Sequence, residues 1–178
     1  MKKIAVLLLG LLLSIMLVAC GDGEPDPITF ASYTKGFEAT TPGGWTRIPE
    51  GDANGTNLLL ESPGGSAAFM IFAEPKIDYN ITAQEYYDAV IQMTAYDLNT
   101  LPEEEVDLRD AQPLTINGEE AQGCIFNYTD ESGLNMVFQL YFFETEDSFV
   151  RVNASAKVST FEEYQPILND IVESIVVK

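Results

Sequence analysis

The sequence contains no histidine among its 178 residues, and only 9 lysines and arginines stand against 28 aspartates and glutamates. Without histidine, a Ser-His-Asp triad, a Cys-His pair and a histidine-based zinc site are excluded. The sequence also has no P-loop and no Gly-x-Gly-x-x-Gly motif. The formal net charge of −19 argues against nucleic-acid binding, because that binding depends on lysine and arginine displacing counterions.

Long apolar runs are also missing, apart from one short segment near the start. Residues 4 to 18 are apolar or small and follow two lysines, but they fall short of the roughly 20 residues that a membrane-spanning helix needs. A basic start followed by an apolar core is typical of a signal peptide. Four residues at its end resemble the lipobox of bacterial lipoproteins: Leu17, Val18, Ala19 and Cys20. That resemblance implies cleavage before Cys20 and attachment of diacylglyceryl and fatty-acyl (palmitate) groups to Cys20.

This motif predicts the organisation of the chain. We expect a lipoprotein signal peptide at residues 1–19, a lipidated cysteine and polar tether at 20–29, and a single domain at 30–178. The location is then the extracytoplasmic face of the cell membrane or envelope. Cleavage would leave seven basic and 28 acidic residues, a net charge of −21, which favours solubility, a basic partner or divalent cations.

Cysteine is scarce, since Cys20 and Cys124 are the only two. With Cys20 lipidated, no intramolecular disulfide can form. Cys124 shares one strand face with Phe126 and Tyr128, which favours a packed core thiol over a nucleophile. We therefore assign no catalytic residue.

The first half of the sequence predicts strands followed by a helix. Short strands are expected at 37–41, 58–61 and 67–74, and the last of these is apolar on both faces, which predicts cover on two sides. Thr82 and Glu85 have the spacing of a capping box that begins a helix. The apolar stripe of that helix is predicted to consist of Tyr86, Ala89, Val90, Met93 and Tyr96.

The second half predicts an antiparallel meander and a closing helix. A two-residue turn at Asn117-Gly118 precedes strands at 120–129, 134–143 and 149–156. A second capping box is predicted at Ser159-Thr160-Phe161-Glu162, and helical spacing continues through Ile175, with Pro166 expected to break the helix. The fold class is therefore α+β, a three-layer α/β/α sandwich around an antiparallel sheet.

Four short segments carry a resemblance to a known superfamily. They are Phe37 through the Pro42-Gly43-Gly44-Trp45 turn, the helix after Thr82, the hairpin Asn117-Gly118-Glu119-Glu120-Ala121, and the final Ile171-Val172-Glu173-Ser174-Ile175. Together they resemble the PsbP-like superfamily, which includes PsbP subunits of photosystem II and bacterial DcrB-like lipoproteins, over most of residues 30–178. The resemblance implies a non-catalytic binding or assembly accessory domain and carries over no catalytic motif. An unknown envelope protein is the expected partner.

Two alternatives remain open on the acidic residues. A calcium-stabilised surface binding module would use oxygen ligands from Glu103-Glu104-Glu105 with Asp107, or from Glu144, Glu146 and Asp147. Residues 52–57 fail as an EF-hand loop because the glycine comes two positions early. A carboxylate-dependent glycan hydrolase would need two acidic groups on either side of a glycosidic bond. We assign no metal or cofactor site, and calcium stays a possible ligand.

Overall fold

The computed structural model of this protein describes residues 25–32, 36–49, 57–78, 80–99, 109–129 and 132–178. The strands are β1 (Ile28–Ala31), β2 (Phe37–Thr41), β3 (Thr46–Arg47), β4 (Leu58–Glu61), β5 (Ala67–Pro75), β6 (Arg109–Asp110), β7 (Leu114–Ile116), β8 (Glu119–Thr129), β9 (Asn135–Glu144), β10 (Ser148–Lys157) and β11 (Val176–Val177). The helices are α1 (Ala83–Asn99) and α2 (Phe161–Glu173), with 3₁₀ turns at Lys76–Asp78 and Val158–Thr160. In this part of the chain, no helix is long and apolar enough to cross a bilayer.

The strands form two antiparallel sheets. The large sheet has the order β3-β4-β5-β10-β9-β8-β6, with β7 paired to the start of β8. The small sheet has the order β1-β2-β11. The predicted meander is confirmed, because β9 pairs with both β8 and β10 along nearly its full length.

The turn between β7 and β8 is the predicted two-residue hairpin. Asn117 and Gly118 have φ angles of 53° and 88°, as a type I′ turn requires, and Ile116 pairs with Glu119 across it. Asparagine and glycine tolerate positive φ better than other residues do. The turn places Glu119 and Glu120 at the exposed start of β8.

Helix α1 covers one face of the large sheet. Thr82 N–H donates to Glu85 Oε2 at 2.8 Å and Glu85 N–H donates to Thr82 Oγ1 at 3.2 Å, which confirms the first capping box. The hydrogen bonds from Thr82 lower the pKa of Glu85. Among the described residues, seven buried side chains form the core on this face: Tyr86, Val90, Cys124, Phe126, Leu140, Phe142 and Phe149.

The predicted stripe of α1 was partly wrong. Met93 is 67% exposed and Ala89 is exposed, whereas Tyr87 and Ile91 pack against the core. The reason is that Tyr86 and Tyr87 both contact rings on the sheet, and these two contacts set the rotation of the helix. The side chain of Tyr96 lies outside the described residues.

Helix α2 and the small sheet cover the opposite face. Leu168, Ile171 and Val172 are fully buried there, in a core that includes Phe37, Trp45 and Tyr141. The two cores on opposite faces confirm the α+β fold and its layered arrangement. Ser174 joins α2 to β2, because its hydroxyl accepts from Thr40 N–H at 2.8 Å and donates to Ile171 O at 2.7 Å.

Three predictions for α2 were wrong. The N-cap of the helix is Thr160, one residue after the predicted Ser159, and Thr160 forms no side-chain cap. Its hydroxyl instead donates to Lys157 O at 3.3 Å, so the second capping box does not form as predicted. The helix continues through Pro166, which is exposed, so water can satisfy the carbonyl that loses its donor. The helix ends at Glu173, after which Val176 pairs with Glu38 as β11.

One face of β5 is less covered than predicted. Phe69 and Ile71 are fully buried, but Met70 and Phe72 are only half-buried. The guanidinium of Arg151 lies 4.4 Å from the Phe72 ring centroid. Among the described residues, α1 lies over the β8 and β9 side of this face instead.

Candidate binding groove

Two adjoining cavities lie at the end of the large sheet where β8 begins and β9 ends. Their volumes are about 190 and 420 Å³, and both are lined by Glu119, Phe143 and Glu144. The smaller cavity is also lined by Tyr86, Tyr87, Glu120, Gln122, Phe142 and Phe149. The larger one is also lined by Lys76, Ile116, Asn117, Thr145, Glu146 and Val177. We call the two cavities together the sheet-end groove.

Aromatic rings form the wall of the smaller cavity. Tyr86 stacks on Phe149 with ring centroids 4.8 Å apart and an interplanar angle of 12°. Tyr87 meets Phe142 edge-on at 4.7 Å. Such pairs hold their rings in a defined orientation, so this wall presents aromatic surface in a fixed arrangement.

Acidic groups impose a negative potential close to this wall. Burial raises the pKa of Tyr87 above its usual value, and the nearby carboxylates of Asp110 and Asp88 raise it further. Glu119, Glu120 and Glu144 line the mouth and are exposed. The arrangement therefore combines aromatic faces with carboxylates.

Lys76 is the one cation among the described residues that line the sheet-end groove. Its Nζ lies 2.8 Å from Glu144 Oε2 and 5.5 Å from the Phe149 ring centroid, and it donates to Thr145 O at 2.5 Å. A carboxylate, a carbonyl and a ring face thus surround one ammonium group. These are the ordinary partners of a cation in a protein.

The turn from β9 to β10 holds this arrangement in place. Thr145 Oγ1 accepts from Ser148 N–H at 3.0 Å, and Lys76 N–H donates to Asp147 O at 2.8 Å. The turn is therefore joined both to itself and to the end of β5. Its acidic side chains Glu144 and Glu146 line the groove.

Cys124 lies in the core under α1, as predicted. It is 3% exposed, and burial, followed by the charge of Asp110, raises its pKa to about 12. A thiol that stays protonated and covered is a poor nucleophile. The structure therefore agrees with a packing role for Cys124.

The residues predicted for lipidation and cleavage, Leu17 to Cys20, lie outside the described residues. So do Glu103 to Glu105 and Asp107 of the first acidic run. In the part of the chain that the structure describes, no three His, Cys, Asp or Glu side chains are placed to hold a metal ion. The second acidic run is described, and two of its members, Glu144 and Glu146, line the sheet-end groove.

Several residues of the groove have no functional signal in the sequence. The sequence pattern places Glu119 and Glu120 in a hairpin and gives Lys76 and Tyr87 no role. Two consecutive glutamates at this position indicate only that the start of β8 is exposed to solvent. Only the folded chain, in which β8 pairs with β9 from Gln122 and Phe142 onward, brings these glutamates and Glu144 to the lining of one cavity.

The architecture is similar to that of three solved structures. CyanoP, the cyanobacterial PsbP of Synechocystis sp. PCC 6803, gives a TM-score of 0.60 at 10% identity over 89% of this chain and 96% of CyanoP. LpqN of Mycobacterium tuberculosis, involved in cell envelope biogenesis, gives 0.54 at 13% identity over 86% of this chain and 91% of LpqN. The Ran-binding protein Mog1p of Saccharomyces cerevisiae gives 0.54 at 9% identity, over 86% of this chain and 96% of Mog1p.

These likenesses concern the fold. No protein-family model and no curated protein sequence matches this chain. At 9–13% identity the three structures nevertheless share its layered arrangement over most of their length. The chain therefore has a PsbP-like α+β fold, as the sequence predicted.

Proposed function

We propose that this protein is a lipid-anchored, extracytoplasmic accessory domain that binds another component of the cell envelope and catalyses no reaction. The observation that carries the proposal is the sheet-end groove. Its lining consists of aromatic rings, carboxylates, amides and Lys76, which is already paired with Glu144. Such a lining suits reversible recognition, in which an apolar wall supplies contact area and a few polar groups supply specificity.

The fold and the sequence support the location. LpqN, which shares the fold, is a protein of cell envelope biogenesis. The residues ending in Cys20 resemble a lipobox, and two or more fatty chains anchor a protein far more firmly than one does.

The start of the described chain indicates how close to the membrane the domain would lie. Pro25 packs so closely on Gly43 that a Cβ at Gly43 would overlap Pro25. The tether is therefore held on the β2–β3 turn from Pro25 onward. Five residue steps separate Cys20 from Pro25, and they span at most about 18 Å. A lipid at Cys20 would keep the domain within that distance of the bilayer surface.

Anchoring is tested by labelling intact cells with a fatty-acid probe. We expect the wild type to be labelled and Cys20→Ala to persist as an unlabelled precursor. Cys124→Ala is the matched control, because it removes the other cysteine and should leave labelling unchanged. Label retained in Cys20→Ala would disprove lipidation at that residue.

Binding is tested by photo-crosslinking in the same cells. A photoreactive residue in place of Gln122, which is exposed and lines the groove, should give one reproducible crosslinked envelope protein. The same residue in place of Glu163, which is exposed on α2, should not give that product. If no partner is recovered while the purified protein hydrolyses a glycan, the protein is an enzyme and the proposal is wrong.

A further inference from the structure

The sheet-end groove has more negative charge than its own cation can neutralise. Among the described residues that line it, four carboxylates accompany one ammonium, that of Lys76. Lys76 pairs with Glu144. Within the described chain, Glu119, Glu120 and Glu146 take part in no ion pair.

The geometry brings these carboxylates together at one end of the sheet. Glu119 and Glu120 are adjacent at the start of β8. Gln122 of β8 pairs with Phe142 of the antiparallel strand β9. Glu120, two residues before Gln122, and Glu144, two residues after Phe142, therefore lie at the same end of the sheet. Like charges that share one end of a sheet repel one another. Apolar walls beside them focus the field and raise the local concentration of cations.

The groove also shows how a cation is held within it. The ammonium of Lys76 contacts a carboxylate oxygen at 2.8 Å, a carbonyl oxygen at 2.5 Å and the Phe149 ring at 5.5 Å. The smaller cavity offers two of these elements, aromatic rings from Tyr87 and Phe142 and a carboxylate from Glu120. That cavity, about 190 Å³ in volume, contains no cationic side chain of the described residues.

We propose that the sheet-end groove binds a basic segment of a protein partner, with the ammonium or guanidinium of one side chain in the aromatic cavity and a second basic side chain in the larger, acidic cavity. Charge complementarity supports a cationic occupant. Two adjoining cavities that share Glu119, Phe143 and Glu144 fit two side chains of one extended segment, since alternate residues of a strand point to the same side about 6–7 Å apart. The proposal rests on the proposed binding function and names the chemistry of the partner.

The test uses the purified full chain in neutral detergent and a fluorescent peptide of alternating lysine and serine. Binding is measured by anisotropy at an ionic strength of about 0.15 M, where diffuse surface attraction is largely screened. We expect saturable one-to-one binding, no binding of the matching glutamate–serine peptide, and weakening as salt is raised. Absence of saturable binding of the lysine peptide would overturn the proposal.

The key variant is Glu119→Gln with Glu120→Gln, which removes two charges from exposed side chains. Its matched control is Glu162→Gln with Glu163→Gln, an exposed adjacent pair beyond the opposite end of β10. We expect the groove variant to bind the peptide roughly 5- to 20-fold more weakly, as the loss of two carboxylate–cation pairs would give, and the control to stay within about twofold. Equal weakening in both variants would mean diffuse attraction to an acidic surface and would refute the proposal.

Two further measurements test the role of the ring and the class of the ligand. Tyr87→Leu keeps the charge and an apolar side chain, and should weaken peptide binding about two- to fivefold if the ring contacts the cation. An unchanged affinity would remove the aromatic cavity from the proposal. Spermidine is tested as a competitor of the lysine peptide. If it displaces the peptide and binds as tightly as the peptide does, the ligand is a small amine and the assignment to a protein segment is overturned. A partner crosslinked in cells while no basic peptide binds would refute this inference and leave the proposed function intact.

Discussion

The sharpest prediction for the fold concerns Gly123, in the middle of β8. This residue pairs with Tyr141 of β9. A Cβ at Gly123 would lie 2.5 Å from Leu140 O and 2.7 Å from Tyr141 Cδ1, whereas comfortable carbon contacts are about 3.5–4.0 Å. We therefore expect Gly123→Ala to destabilise the protein, although alanine normally favours a strand over glycine.

The magnitude follows from the two effects that oppose each other. Tyr141 is fully buried and its hydroxyl accepts a hydrogen bond from Gln139 Nε2 at 3.1 Å, so its ring cannot move away freely. Leu140 O cannot move away freely either, because it belongs to the backbone of a central strand. Such overpacking costs about 1–3 kcal/mol. The lower entropy of the unfolded chain returns about 0.4–1 kcal/mol. Because neither contact can relax freely, the net loss should be about 1–2 kcal/mol, which lowers the melting temperature of a chain of this length by about 2–8 °C.

Thermal unfolding followed by circular dichroism measures this change. Gln122→Ala is the control, because Gln122 is the exposed neighbour in the same strand and its substitution should change stability by no more than about 0.5 kcal/mol. A melting temperature for Gly123→Ala that equals or exceeds that of the control would show that β8 and β9 separate at little cost. The close approach of Tyr141 to Gly123 would then not explain the glycine.

Three other predictions use buried or bridging groups. Burial raises the pKa of the Cys124 thiol to about 12, so this thiol should resist iodoacetamide at pH 8 in the native protein and react once urea unfolds it. Equal alkylation rates in native and unfolded protein would contradict its burial. Burial also raises the pKa of Tyr141 to about 12, and because the usual values of the two groups are 9.0 and 10.0, the unfolded chain loses both protons first. The contribution of these two groups to the free energy of unfolding in urea should therefore be constant below about pH 9 and fall from there to about pH 12, with a shallower fall in Cys124→Ala. A flat profile between about pH 9 and pH 12 would be inconsistent with the shifts. Ser174→Ala leaves Thr40 N–H without its acceptor and should lower the free energy of unfolding by about 1–3 kcal/mol. The control Ser159→Ala changes an exposed serine and should have little effect. Equal effects of the two substitutions would show that the link between α2 and β2 does not stabilise the fold.

Much of the fold could be predicted because its signals are local. The Asn117-Gly118 turn, the capping box at Thr82 and the apolar run of β9 each act over a few residues. The errors occurred where distant residues compete with a local pattern. Tertiary ring contacts turned α1 so that Met93 is exposed, and pairing with Glu38, far away in the sequence, drew Val176 out of the helical pattern into β11.

The candidate site could be predicted only in part. An acidic run at Glu144, Glu146 and Asp147 is visible in the sequence, and so is its position in a turn. The sequence does not show which other turn this acidic run lies beside, because neighbouring strands in a sheet bring together residues that no local pattern connects. The groove depends on β8 pairing with β9 and on α1 crossing their ends, so Glu120, Tyr87 and Lys76 acquire a shared role only in the folded chain.

The sequence by itself determined the charge of the protein, the catalytic groups it lacks and the order of its longer strands and two helices. These properties depend on composition and on patterns a few residues long, as does the lipobox-like motif ending in Cys20, whose lipidation stays a prediction. The tertiary structure decided which acidic residues share one groove, which rings form its wall and why Gly123 must be glycine. Those outcomes depend on the packing of segments far apart in the chain, and packing is settled by the whole fold.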